Sequence, residues 1–537
     1  MGIVGRLVAE RRATLLRKAR LPGREGLWDL DIADGLIRRL VPIEGPKRPS
    51  RLGGLDRLVR RVRGTDTDRL LGPTDLGYED FSADRPGHFA EVIDLDGRFV
   101  IPGLWDEHVH FTQWSLLSRR LDVSAALSAA EAADMVRARA RAGGMPPAGP
   151  LVGHGFRDGL WPHMPSAALL DQAAWGAPVV LISADLHTAW LNAAAAETIG
   201  VGLDEYGLVR EEDAFTVARA VNELPDVIVD TWAAEAALEA ATRGVVGIVD
   251  LEMAWNLDTW VRRRQAGDET LRVQFGIYPE HLDQAVELGM RTGQKLDELT
   301  TVGYLKVLID GSLNTRTAYC DEPYTDLEGE DRHGLLTVPE DELEALLKKA
   351  AMARIVPTVH AIGDAANRIA LDAFARAATT GRIEHAQLVG RQDFARFAEL
   401  GVTASVQPQH AMDDRDVADH YWPGRTDRAF AWRSLLEAKA TLAFGSDAPV
   451  SPLDPWLGMA AAIGRTNDER EPWHPEQGIT AEQALVASTR GRGIVSEGEI
   501  ADLVITEYDP LHTPVAQLRT MPVSATMLEG TFTHRTL

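Results

Sequence analysis

The sequence predicts an α/β fold: a (β/α)8, TIM-like barrel with a small β-sandwich assembled from both chain ends and an insertion after the first barrel strand. Three observations carry this. Strand-like apolar runs alternate with helical stretches through the middle of the chain, which is the pattern of βα units and a parallel sheet. Eight such runs are present, the number a closed barrel requires. Segments with two-residue alternation lie at the two ends and could pair with each other across that middle.

The N-terminal part of the small β domain is assigned to residues 1–100. Between Leu15 and Leu40, LWDLDIADGLI alternates apolar and polar residues as a half-buried hairpin does, with breaks at Gly23, Gly26 and Gly35. Residues 46–87, including GPKRPSRLGG and GTDTD, are polar and glycine-rich and are expected to form a loop-like insertion. The strand pattern resumes in EVIDLDGRFVIPGLWDEHVHF, where Asp96 and Gly97 mark a turn. The barrel is assigned to residues 101–490. Its eight runs are PGLWDEHVH, VVGIVDLE from Val245, RVQFGIY from Arg272, YLKVLIDG from Tyr304, IVPTVHA from Ile355, RIEHA from Arg382, VTASVQP from Val402 and TLAFGSDAP from Thr441. DELEALLKKAAMA and AANRIALDAFARAA have apolar residues at helical spacing between them. The gap from Phe111 to Arg243 is too long for one crossover, so an inserted segment is expected at about 145–230. Residues 491–537, with GEIADLVITEYDP and VSATMLEGTFTH, complete the small β domain.

Composition narrows the functional classes. With 45% apolar and 25% charged residues the chain can bury a core and is neither disordered nor fibrous. Its 80 acidic against 56 basic side chains give a formal charge of −24, a field that repels phosphate backbones and anionic lipid, so neither nucleic acid nor a membrane is the expected partner. The Arg-rich stretches Arg6–Arg24 and Arg51–Arg69 are interleaved with Leu, Asp and Gly and are read as solvated faces. A single cysteine, Cys320, excludes an intramolecular disulfide and a multi-cysteine metal site, and fits a reducing compartment. The N-terminus has no apolar signal region, and no stretch approaches the roughly 20 apolar residues needed to span a bilayer. A cytoplasmic location is the expectation.

The chemistry-bearing residues sit at strand ends. His108 and His110 in DEHVH share one face of a strand by period-two alternation, and two converging imidazoles make half of a divalent metal site. His-x-His alone also occurs by chance. His360 ends IVPTVH, His385 ends RIEH and Asp447 ends LAFGSD, and the carboxyl ends of barrel strands are where barrel enzymes place catalytic groups. Each could singly be a satisfied histidine or a turn aspartate; together they point to a metal centre.

In these motifs the chain resembles the amidohydrolase superfamily, specifically the amidohydrolase 3 group that includes YtcJ-like proteins and N-substituted formamide deformylases. The resemblance runs from about Leu15 to the C-terminus, in order, through VIPGLWDEHVH, GVVGIVD, KVLIDGSLNTRTAYCDEPY, VHAIGDAANRIALDAF, RIEHAQLV, SVQPQH, FGSDAPVSPLDPWLGM and GEIADLVI. The insertion matches through GHGFRDGLW, ISADLHTAWLN and GLVREEDAF, and the match is weakest over Pro46–Gly87. The resemblance implies that Lys306, in the fourth run, is carbamylated and bridges two cations. Against this stands a lysine that merely snorkels from a strand end. It further implies that His108, His110 and Asp447 serve one metal and His360 and His385 the other, with Lys306 joining them. Two Zn2+ ions are the expected occupants, although iron, manganese, nickel or cobalt suits the same ligands.

The implied activity is hydrolysis of carbon–nitrogen bonds other than peptide bonds, in an amide, formamide or cyclic amide, by metal-activated hydroxide with Asp447 as general acid and base. A small molecule is the expected partner and a homodimer the assembly that the resemblance suggests. The alternatives are a deaminase on the same barrel with one metal, against which Lys306 speaks, and an inactive metal-binding relative, which would be expected to lack a ligand. His410 in SVQPQH could hydrogen-bond a substrate oxygen. Arg316 could clamp a carbonyl or carboxylate, or instead pair with Asp321 or Glu322. Asp310 and Asp364 could orient histidine ligands or simply shape turns, while His154 and His187 are implied to line a pocket in the insertion. Of the 13 tryptophans, Trp105, Trp114, Trp161, Trp190 and Trp456 fall near the motifs and are read mainly as packing, with some available to line an apolar pocket.

Overall fold

The computed structural model describes residues 13–43 and 90–537, apart from 147–148, 157–160, 184–187, 211, 223, 325–326 and 328. The expected loop at 46–87 and His187 lie outside the described residues. The described residues form two compact units, one within 1–111 and 237–537 and one within 112–236.

In the first unit the eight apolar runs form one parallel eight-stranded sheet. Its strands, in chain order and in order around the sheet, are β1 (Leu104–Val109), β2 (Val245–Asp250), β3 (Arg272–Ile277), β4 (Thr300–Leu308), β5 (Pro357–Ala361), β6 (Gly381–His385), β7 (Val402–Val406) and β8 (Leu442–Phe444). Every residue of β2 and of β6 is buried, as expected where helices cover the outside of a parallel sheet and side chains fill the inside. Helix Glu340–Met352 between β4 and β5 starts on three acidic residues and buries Leu343, Leu347 and Ala350 at helical spacing. Helix Asp364–Ala377 follows β5 and buries Ala366, Ala370, Ala373 and Phe374. Register pairs Leu308 with His360 and Ala361 with His385, so the strand ends step around the barrel and bring their terminal side chains together.

Closure occurs between β1 and the segment after β8. The Asp447 N–H donates to the His108 carbonyl at 2.8 Å, and the His110 N–H donates to the Ala448 carbonyl at 2.8 Å. Asp106 reinforces this seam: its Oδ1 accepts the N–H of His108 at 3.1 Å and of Ser446 at 2.9 Å. Gly445 makes the approach possible, because a Cβ there would stand 2.6 Å from the His108 nitrogen and 2.7 Å from its Cβ.

Both chain ends contribute to the flanking β-sandwich. One sheet has Leu36–Pro42, Trp28–Ala33, Thr14–Ala19 and Glu91–Asp94 in that order; the other has Thr531–Arg535, Val523–Leu528, Leu503–Thr506 and Phe99–Pro102. They share one core that includes Leu16, Leu30, Ile32, Ile93, Leu503, Ile505 and Met527. Arg272 of β3 reaches this domain through Asp502 at 2.6 Å and Glu529 at 2.7 Å.

The second unit has its own five-stranded sheet, in the order Leu208–Arg210, Thr188–Leu191, Val179–Ser183, Leu151–Phe156 and Leu121–Asp122. Helix Ala129–Arg141 is capped by the Ser128 side chain, which accepts the Glu131 N–H, and its Ala132, Ala133 and Val136 share a core with Phe156, Leu181 and Trp190. Strand 121–122 and helix 129–141 therefore belong to the inserted unit, which begins ahead of residue 145. Among the described residues no helix is long and apolar enough to cross a membrane.

Gly445→Ala is expected to force β8 away from His108 and to cost about 1–3 kcal/mol, as overpacked sites typically do. Thermal unfolding of the metal-free protein measures this; an unchanged melting temperature would mean that the seam can widen freely.

Candidate metal centre

His108 is the penultimate residue of β1 and His110 follows that strand; Lys306 lies in β4, His360 in β5, His385 at the end of β6, and Asp447 just beyond β8. His385 and Asp447 have φ of 73° and 59°, a left-handed backbone that costs non-glycine residues of order 1–3 kcal/mol. Such strain persists where surrounding contacts hold it, and here it belongs to two of the side chains that converge at the barrel mouth.

The side chains meet around Asp447. Nε2 of His108 and Nε2 of His110 each lie 3.4 Å from Asp447 Oδ1. His410, at the start of a short helix after β7, brings Nε2 within 3.8 Å of Asp447 Oδ2 and stacks on the His385 ring with centroids 5.8 Å apart. The His360 and His385 rings stand nearly perpendicular, 4.4 Å between centroids. Lys306 Nζ is 3.3 Å from His108 Nε2. Ligand atoms of His108, His110 and Asp447 lie within 4.8 Å of one another, and so do those of His385, His410 and Asp447. Every residue named as a ligand from the sequence is thus in one cluster, and His410 joins it.

A divalent ion fits these donors. Two ligands on one tetrahedral zinc, each about 2.0–2.1 Å from it, stand about 3.4 Å apart. The two His–Asp447 separations have that value, longer than a good hydrogen bond and short enough for a shared ion. Among the described residues, Nδ1 of His110 and of His385 and Nε2 of His410 are buried without a hydrogen-bond partner, which is costly unless something else occupies them.

The electrostatics favour the ligand forms. Burial, with Lys306 adding repulsion, lowers His108 to about 4 and His360 to about 3. Burial and the neighbouring His360 hold His385 well below its usual range. These imidazoles are neutral at pH 7. Burial alone would raise the Asp447 carboxyl, but His108, His110, His385 and His410 together hold it well below the ordinary carboxylate value. Burial lowers the Lys306 amine despite Glu384 and Asp447.

Other candidates divide. Asp310 accepts N–H groups from Tyr319, Ile362 and Gly363, lies 3.5 Å from His360 Nε2, and is pushed by burial up to about 7. It braces the β4 and β5 ends beside a ligand candidate. Asp364 orients no histidine: it accepts the Asp321 N–H and pairs with Arg428 at 2.7 Å, as the first residue of its helix. Arg316 lies with its guanidinium 5.6 Å from the centre of the Tyr421 ring, while Asp321 pairs with Arg368 and Glu322 lies 3.9 Å from Arg425. His154 sits on strand Leu151–Phe156 of the second unit. Trp190 and Trp456 are fully buried packing residues, and Trp161 packs on Phe156 and Trp190.

Sequence reasoning missed Glu384. This fully buried carboxylate lies 2.9 Å from His108 Nδ1, accepts the Thr358 hydroxyl at 2.6 Å and stands 3.2 Å from Arg382 Nε. The available signal was a charged residue inside the buried run RIEH.

Comparison with known proteins agrees with this architecture. The model of the Amidohydrolase family matches residues 91–534. The chain is 25% identical to the YtcJ protein of Bacillus subtilis (strain 168), over 82% of this chain and 90% of that one. It is 25% identical to the N-substituted formamide deformylase of Arthrobacter pascens, over 82% of this chain and 89% of that one. An uncharacterized metal-dependent hydrolase from Pyrococcus furiosus shares the fold with a TM-score of 0.70 at 24% identity, covering 93% of this chain and 100% of that one.

The depressed histidines make a pH prediction for the metal-free protein. Between the ordinary value of 6.5 and the native values near 4 and 3, the unfolded chain binds protons that the native site refuses. Stability should therefore fall with pH from about 6.5 downward, by about 1.4 kcal/mol per pH unit for each such histidine. Melting temperatures of chelator-treated protein from pH 7 to pH 4.5 test this. His360→Asn should remove one histidine's share of the slope, and an unaltered slope would contradict a neutral native His360.

Proposed function

Because this chain belongs to the amidohydrolase family, we propose that it is a metal-dependent hydrolase of carbon–nitrogen bonds other than peptide bonds. The observation that carries the reading is the position of Asp447, whose Oδ1 faces His108 and His110 while its Oδ2 faces His410. One oxygen is a ligand atom, leaving the other to carry a proton.

His108, His110 and Asp447 would hold one metal and His360 and His385 a second, with Lys306 between them, and the metal supplies Lewis acidity and a lowered pKa for bound water. The buried Lys306 amine, once neutral, can add to carbon dioxide and release a proton, giving a carbamate whose negative charge suits neighbouring cations. Asp447 accepts the proton of the attacking water at Oδ2 and returns it to the departing nitrogen, which leaves poorly as an unprotonated amide anion. His410, whose buried Nε2 has no hydrogen-bond partner among the described residues, is placed to donate to the substrate carbonyl oxygen.

Similarity to a formamide deformylase makes N-substituted formamides the first substrates to test, followed by amides and cyclic imides. Metal analysis of purified protein, alongside turnover on that panel with added bicarbonate, is the decisive experiment. Asp447→Asn is expected to keep part of the metal and to lose about 10²–10⁴-fold in kcat. Less than about a tenth of an equivalent of metal, unrestored by zinc or manganese with bicarbonate, would sink the reading, since a hydrolase of this kind cannot work without its ion. A fully active Asp447→Asn would remove its acid and base role.

A further inference from the structure

From the geometry beneath the metal ligands we infer that Glu384 is a positioning residue: its carboxylate holds the Nδ1–H of His108 so that Nε2 keeps its lone pair for a metal. The inference rests on the metal-centre reading above and assigns a role to a residue that is not itself a ligand.

Two side chains approach His108 Nδ1, Glu384 Oε2 at 2.9 Å and the Gln407 amide at 3.1 Å. An ionised carboxylate cannot donate, so Nδ1 must carry the proton; the Gln407 atom nearest this nitrogen is its Nε2, a donor, which leaves Glu384 as the acceptor of the Nδ1–H. That fixes the tautomer with Nε2 unprotonated, and Nε2 is the atom facing Asp447 and Lys306. A carboxylate on the far nitrogen also raises the donor strength of the imidazole and fixes the plane of its ring.

Glu384 is itself held by a buried row of alternating charge. Arg382 lies on its other side and donates to Glu107 Oε2 at 2.7 Å, to the Glu107 carbonyl at 3.0 Å and to Ser405 Oγ at 2.6 Å. Arg490 donates to Glu107 Oε1 at 2.5 Å and to Gln274 Oε1 at 2.8 Å, and lies over the Trp105 ring at 3.4 Å. The two carboxylates and two guanidiniums balance, and Glu384, Arg382 and Glu107 are each at least 95% buried. Burying such a row is expensive beside apolar packing, so its presence under a metal site is best explained by what its last member holds. Glu107, between Asp106 and His108 in the sequence, anchors this row to the same strand that carries the ligand.

Affinity for Zn2+ and Co2+, measured by chelator competition on the full chain, tests this independently of turnover, and the visible spectrum of the cobalt form reports the ligand geometry. Glu384→Gln, which is isosteric, is expected to bind metal about 10- to 100-fold more weakly and to alter the cobalt spectrum. Because this variant leaves Arg382 short of a counter-charge, the double variant Arg382→Met with Glu384→Gln is the companion: it keeps charge balance through Glu107 and Arg490, and should show the same loss with a metal-free melting temperature close to wild type. Metal affinity in the folded double variant within about threefold of wild type, with an unchanged cobalt spectrum, would overturn the positioning role, because loss of a true positioning carboxylate costs at least about tenfold. A wild-type chain that binds neither ion overturns the metal-centre reading, and this inference with it.

Discussion

The structure depends on closing one sheet between its first and last strands. The strand β8 is short, so the seam is completed by backbone hydrogen bonds from residues just beyond it: Asp447 to His108 and His110 to Ala448. The residues that close the barrel are therefore among the candidate metal ligands. Gly445 supplies the room, and the Asp106 carboxylate ties the His108 and Ser446 amides on both sides of the join. Any error in closure is an error in ligand position, which links stability of the fold to geometry of the site more directly than in a loop-built site.

Charge follows from the same constraint. Bringing strand ends together inside a barrel removes water from His108, Lys306, Asp310, His360, Glu384, His385 and Asp447, and isolated buried charges are not tolerated. The histidines respond by staying neutral and Lys306 by losing proton affinity, while burial raises Asp310 against the backbone amides that donate to it. Glu384 and Asp447 stay ionised. Such a cluster is short of positive charge near its ligand atoms, and divalent ions are the natural complement.

Much of this was legible in the sequence because it is local. Each barrel strand is a buried run with its own apolar pattern, and His108, His110, His360, His385 and Asp447 could be placed at strand ends by reading each run alone. Lys306 carries no such local mark and entered through family resemblance. Glu384 was missed because its meaning lies in its partners: the contact to His108 spans 276 residues, that from Arg382 to Glu107 spans 275, and that from Arg490 to Glu107 spans 383. No spacing rule reaches across such separations. Of the two readings open for Asp364 the structure fits the turn, since aspartate after glycine at a helix start needs only the backbone and a nearby arginine to explain it. The extent of the insertion was also misjudged, because helix 129–141 joins that unit through packing of small alanines that give little signal in a sequence.

Glu384 and Asp447 are two buried carboxylates of one cluster with different surroundings. Glu384 is surrounded by groups that hold the proton away from it: the Thr358 hydroxyl, the Arg382 guanidinium and the His108 ring. With its lone pairs committed and a permanent cation 3.2 Å away, it can hold a ring in place but cannot exchange a proton during turnover. Asp447 has no guanidinium or lysine paired with it at hydrogen-bonding distance among the described residues; its neighbours are imidazoles. Its Oδ2 faces His410 at 3.8 Å, a distance that leaves space for a third group. A carboxylate held by fixed charge is suited to position, and one without a fixed cation beside it is the better fit to proton transfer. The same element, a barrel strand end, supplies both, and what separates them is whether an arginine stands behind.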